Sequence, residues 1–73
     1  MIHPKQVAIG DRIELVEMHD DPDPIPAGTQ GTVDWVNERP DFVQIGVKWD
    51  NGRTLMLCVP PDSFRVIEDA SHA

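Results

Sequence analysis

The sequence predicts a small all-β domain built from five short antiparallel strands. Three observations lead there. Trp49-Asp50-Asn51-Gly52 lies between two alternating apolar runs, and an Asn-Gly pair in that setting is a strong hairpin signal. The apolar residues recur at every second position, as Val43, Ile45, Val47 and Trp49 before the turn and Leu55 and Leu57 after it; that period belongs to a half-buried strand. No stretch reads as a helix of useful length.

Taken in order, residues 1–9 form a flexible lead-in, with His3-Pro4 breaking any helix. One domain covers residues 10–68, and residues 69–73 form a disordered tail. The first strand is expected over residues 12–18, with Ile13 and Leu15 facing one way and Arg12 and Glu14 the other. A long proline-rich loop over residues 19–28 follows. Its three prolines fix φ and hold the residues before them extended. Ile25, between two prolines, is expected to tuck back onto the core. Gly28 and Gly31 mark a turn or bulge into a second strand over residues 32–36. Strict alternation there puts Val33 and Trp35 on one face. A bulge instead turns Val33 and Val36 inward and Trp35 outward, and this reading is preferred. Strands over residues 42–49 and 53–58 flank the hairpin turn, where Asp50 is expected to bond the turn backbone. Val59-Pro60-Pro61-Asp62-Ser63 stops the fourth strand. A single 3₁₀ turn is expected there, with Asp62 or Ser63 accepting from backbone N–H groups. Residues 64–67 form a short fifth strand. Closing such strands into a barrel, wholly or nearly, removes the unpaired edges of an open sheet.

Composition bounds the function. A chain of 73 residues holds one small core, and such cores leave a thin stability margin. Cys58, the single cysteine, has no disulfide partner within the chain and reads as a small buried hydrophobe; a reducing, cytoplasmic setting follows. No segment has the apolar length to span a bilayer, and no signal-peptide pattern opens the chain. Thirteen acidic residues against six basic ones give a net charge of −7. That balance disfavours phosphate-rich partners and anionic membranes and favours a basic partner.

The order strand, long loop, strand, short loop, strand, tight turn, strand, turn, strand resembles the Src-homology-3-type small barrel. Gly10-Asp11-Arg12-Ile13 followed by Gly28-Thr29-Gln30-Gly31-Thr32-Val33 is similar to the KOW motif of ribosomal and transcription-associated proteins. A closer resemblance is to an uncharacterised family of short phage, plasmid and mobile-element proteins. It is carried by residues 10–16, Met18, Asp21-Pro22, residues 26–33, Trp49-Asp50-Asn51-Gly52 with Leu55 and Leu57, and Asp62 and Phe64. The KOW likeness implies nucleic-acid binding. This chain departs from that pattern in charge, with Asp20, Asp21, Asp23, Glu38 and Asp41 in its loops.

The candidate sites each have a plainer reading. His19-Asp20-Asp21-Pro22-Asp23 offers oxygen and nitrogen ligands, but it lacks any metal-binding spacing and reads first as a solvated acidic loop, where a basic partner can dock. Trp35, Met18 and Met56 are the expected outer-face apolar residues; Trp35 serves a binding patch, packing within the fold, or a homodimer contact. Trp49 is expected in the core. Arg12, Lys48 and Arg53 form a basic face for a nucleic-acid ligand, or simply balance Glu14 and Asp34. No catalytic motif, cofactor pattern or metal motif is present, so the expected protein is not an enzyme. The expected function is a noncatalytic protein–protein or peptide interaction module, encoded on a phage or mobile element, with Trp35, Asp20, Asp21, Asp23 and Met56 at the partner surface. A KOW-like nucleic-acid-binding domain using Arg12, Lys48 and Arg53 is the alternative, and a self-associating accessory subunit the third reading.

Overall fold

The computed structural model describes residues 7–19 and 23–69. They form one antiparallel sheet of five strands and no helix: β1 (Arg12–Glu17), β2 (Gln30–Glu38), β3 (Val43–Trp49), β4 (Leu57–Val59) and β5 (Ser63–Glu68). The spatial order is β4-β3-β2-β1-β5. β2 is the hinge of the sheet. Its first residues, Gln30, Gly31 and Thr32, pair with Glu14, Ile13 and Arg12 of β1, and from Gly31 to Glu38 it pairs with β3. The sheet is not closed, since β4 and β5 do not pair with each other. What joins them is local: the amide of Asp62 donates to the Cys58 carbonyl at 2.9 Å.

One face of the sheet supplies the core. Ile13 and Leu15, Val33, Val43, Ile45, Val47 and Trp49, and Leu57 are buried, as the period-two pattern requires. Ile25 reaches in from the long loop and is 2% exposed, and Val7, expected in the lead-in, also packs into the core. The base of the loop is sealed where Leu15 donates to the Thr29 carbonyl and Gly28 donates to that of Leu15. Gly31 sits in the crossing of β1, β2 and β3, where a Cβ would meet Val47 Cγ1 at 2.7 Å and the Lys48 carbonyl oxygen at 2.8 Å.

A register shift falls between Val33 and Trp35. Val33 is buried, Val36 packs against the core, and Trp35 is 40% exposed; the extra residue flips the side-chain alternation as a bulge does.

Several sequence expectations need correction. β4 begins at Leu57 rather than at residue 53, because the Leu55 carbonyl accepts the Trp49 indole N–H at 2.8 Å and is lost to the ladder. The turn backbone is bonded by Asn51, whose side-chain oxygen accepts from the Arg53 amide at 3.1 Å. Asp50 faces Arg12 instead. Met18 packs against the core instead of standing on the outer face. Pro60 and Pro61 form a hydrogen-bonded turn with no 3₁₀ segment, and the Val59–Pro60 and Pro60–Pro61 peptides are cis.

Candidate functional site

The candidate site is an apolar hollow of about 270 Å³ at the end of β1. Met18 and His19 form one wall, Leu55, Met56 and Cys58 a second, and Pro61 and Asp62 the floor nearest β5. These segments are distant in sequence, and Asp62 draws them together. Its carboxylate is buried, accepting the His19 amide at 2.7 Å and the Cys58 amide at 3.0 Å. A carboxylate that accepts two backbone N–H groups gains strong, charge-assisted bonds, so the mouth of the hollow is held by geometry rather than by bulk packing. Met56 is 39% exposed, and Met18 Sδ accepts the Ile25 amide at 3.4 Å. Met18 is thus held in place, and Met56 is the exposed thioether at the rim, a side-chain type that suits variable apolar occupants.

Cys58 and His19 share the hollow, but the His19 imidazole is turned to Glu17, with Nε2 3.1 Å from Oε1, and Cys58 is a half-buried free thiol. Among the described residues no three His, Cys, Asp or Glu side chains group to hold a metal ion.

Beside the hollow, the outer face of the sheet carries Trp35. Trp35 pairs with Gly46 of β3, and a Cβ at Gly46 would overlap indole atoms Nε1, Cε2 and Cδ1. The indole therefore lies in the space that the missing side chain leaves. The β3–β4 pairing ends at Ile45 with Leu57, and Met56 is the residue just before β4. Trp35 and Met56, two expected partner-surface residues, are both exposed. Asp23 is exposed in the loop and is held by Arg53, whose Nη1 donates to its carbonyl at 2.7 Å and lies 3.6 Å from its carboxylate. Asp20 and Asp21 lie outside the described residues.

Of the expected basic face, Arg12 and Lys48 both pair with Thr32 and so lie on one side of the sheet. Arg12 makes a two-pronged contact with Asp50, Nη1 to Oδ1 at 2.9 Å and Nη2 to Oδ2 at 2.6 Å. It also donates to Thr32 Oγ1 at 3.0 Å. The hydrogen bonds of this fork hold the Asp50 carboxyl below its ordinary range and raise the Arg12 guanidinium further. Arg53 is turned to Asp23, and Lys48, paired with Thr32, is exposed. Glu14 is neutralised by Arg65 at 2.5 Å rather than by Arg12.

A family model matches residues 4–67, which include every side chain of the hollow and its neighbouring face. The chain belongs to the family described as a domain of unknown function, DUF4314. Comparison with curated proteins and with solved structures returned no match. The family assignment carries no activity, so the chemistry of the site has to be argued from its own atoms.

The sequence offered Asp62 or Ser63 as the residue that bonds backbone N–H groups, and Asp62 takes that role. The sequence did not bring Met18, His19 and Cys58 to one place, because the contact that does so joins residues 43 positions apart, His19 to Asp62.

Proposed function

We propose that this chain is a noncatalytic protein-interaction module that takes an extended peptide segment of a partner in the hollow between Met18, Met56 and Pro61. The observation that carries the reading is the hollow itself: apolar, half open, lined by Met18 and the exposed Met56 and held by the Asp62 carboxylate. Its size suits one or two side chains rather than a whole small-molecule substrate, whose sites usually span roughly 300–1,000 Å³. Binding an extended segment along a shaped groove is a recurrent use of small β domains.

The strand order, with the long loop after β1 and the proline turn before β5, supports a Src-homology-3-like small barrel with a KOW-like entry. The resemblance carried by the Gly10-Asp11-Arg12-Ile13 and Trp49-Asp50-Asn51-Gly52 stretches supports a phage or mobile-element context and a cytoplasmic site of action. A net charge of −7 supports a basic partner. Nucleic acid is the weaker occupant, since Arg12 and Arg53 are engaged with Asp50 and Asp23 and phosphate binding draws on uncommitted cations.

The test is selection of a random peptide library on the folded domain, repeated on Met56→Glu. Enrichment of peptides sharing an apolar residue, lost in the variant while its melting curve is kept, is the expected result. Failure to enrich, together with oligonucleotide binding that weakens steeply with added salt, overturns it in favour of the nucleic-acid reading.

A further inference from the structure

We propose that the hollow is also a site for a soft monovalent metal ion, Cu(I), held by the Cys58 thiolate, the Met56 and Met18 thioethers and the His19 imidazole. The inference goes beyond the peptide-binding reading and rests on donor atoms rather than on apolar area.

The first ground is the donor set. Four of the seven residues that line the hollow, Met18, His19, Met56 and Cys58, carry sulfur or imidazole nitrogen. Met56 and Cys58 flank Leu57, which is wholly buried, and alternation along an extended chain turns both away from the side that Leu57 takes. His19 is brought to them by Asp62. The two carboxylate oxygens of Asp62 accept one amide each, from His19 at 2.7 Å and from Cys58 at 3.0 Å. The main chains at residues 19 and 58 are thus pinned to a single carboxylate, a fixed frame for two ligands.

The second ground is the way His19 is held. Its Nε2 lies 3.1 Å from Glu17 Oε1. A ring that donates its Nε2 proton to a carboxylate keeps Nδ1 as a lone-pair donor, in a set tautomer. A carboxylate behind the other ring nitrogen is the usual support of a metal-bound histidine.

The third ground is which donors are missing. The carboxylate that lines the hollow, that of Asp62, is committed to two amides. Among the described residues no three His, Cys, Asp or Glu side chains group around a metal ion. Calcium and magnesium take shells of oxygen ligands, and structural zinc takes four donors from cysteine, histidine and carboxylate. The hollow supplies one thiol and one imidazole, and thioethers make up the rest. Thiolate with thioether selects Cu(I). Met56 is 39% exposed, and its three rotatable bonds let the sulfur swing over Cys58 without backbone movement. Met18 Sδ accepts the Ile25 amide at 3.4 Å and keeps a second lone pair. On binding, the Cys58 thiol releases its proton to solvent, and no electron is transferred.

The experiment is an NMR titration of the whole chain with Cu(I), kept reduced by ascorbate under argon, and in parallel with Zn(II). Competition with a chromophoric Cu(I) chelator gives the affinity. The readouts are the methionine methyl signals and the histidine ring signals. Met1, His3 and His72, outside the described residues, report scattered binding. Expected is one Cu(I) per chain, with shifts at Met18, Met56 and His19, and no movement of the methionine methyls with Zn(II). Cys58→Ser should abolish the complex and Met56→Leu should weaken it. Glu17→Ala removes no ligand and should weaken it about ten-fold. The Trp49 indole N–H signal, bonded to the Leu55 carbonyl, reports that each variant is folded.

Binding undiminished in Cys58→Ser overturns the proposal. So do Cu(I) shifts confined to Met1, His3 or His72, and one ion shared between two chains. Zn(II) that displaces Cu(I) from the hollow overturns the assignment of a soft ion, and unchanged affinity in Glu17→Ala overturns the part given to His19. Peptide selection uses no metal, so the peptide-binding reading stands or falls separately.

Discussion

Asp62 ties two distant segments together through one side chain. It is 6% exposed and accepts from two amides on two different segments. Removing its carboxylate leaves both donors in a part-buried setting without partners, and each such loss costs about 1–3 kcal/mol. A domain of this size holds roughly 3–5 kcal/mol in total. Asp62→Ala should therefore be largely unfolded at ambient temperature, and a cooperative thermal transition near that of the parent chain would refute this. The Arg12–Asp50 fork gives a prediction of the opposite kind, since both groups face solvent and the pair adds little to stability. The Asp50 carboxyl is held low mainly by its hydrogen bonds to Arg12. A carboxylate whose folded pKa is depressed contributes stability that is present above its unfolded pKa and lost as pH falls through the folded one, so the fork fails only in acid, below the ordinary carboxylate range. In Arg12→Ala the Asp50 side-chain carbonyl signal should titrate at higher pH than in the parent, while the thermal midpoint at neutral pH hardly moves. An unshifted titration would show that the fork is not formed in solution.

At the scale of the element, the hairpin between β3 and β4 was legible because its information is local. Gly52 has φ of +90°, Gly52 donates to the Trp49 carbonyl at 3.0 Å, and Trp49 donates to that of Arg53 at 2.9 Å. Gly52→Val places a β-branched residue at positive φ, which costs on the order of 1–3 kcal/mol; circular dichroism melting should show a drop of at least several degrees, and an unchanged midpoint would contradict the turn. The outward turn of Trp35 was legible for a related reason: Val33 and Val36 are out of phase by one residue, and only a bulge brings both inward. The length of β4 was not legible. Alternation continues through Leu55, but the Trp49 indole takes the Leu55 carbonyl, and side-chain competition for a ladder acceptor leaves no mark on hydrophobic period. The fork of Arg12 and Asp50 joins residues 38 positions apart; charge content shows that such pairs will form, and only the register decides which.

At the scale of the whole molecule, the core begins before the first strand. Val7 is 7% exposed, Ala8 donates to the Asp11 carboxylate at 2.8 Å, and Gly10 donates to the Val33 carbonyl at 2.8 Å. A chain truncated to start at Gly10 should lose about 1.5–3 kcal/mol from the buried valine alone, and with it roughly 4–8 °C of midpoint per kcal/mol. An unchanged midpoint would show that the lead-in does not dock. The overall chain path was read from the sequence in broad terms; the openness of the sheet was not, because pairing of distant edges is set by sheet curvature rather than by local pattern. That openness is not symmetrical. On the β4 side, the N–H and carbonyl of Cys58 are both taken by Asp62, so that margin has no pair of groups to offer at its centre. Growth of a β-sheet from molecule to molecule needs two receptive margins on every copy, one to join and one to be joined. With one margin stoppered by a single aspartate, any strand-wise joining of copies would be confined to the β5 margin and would have to stop at two.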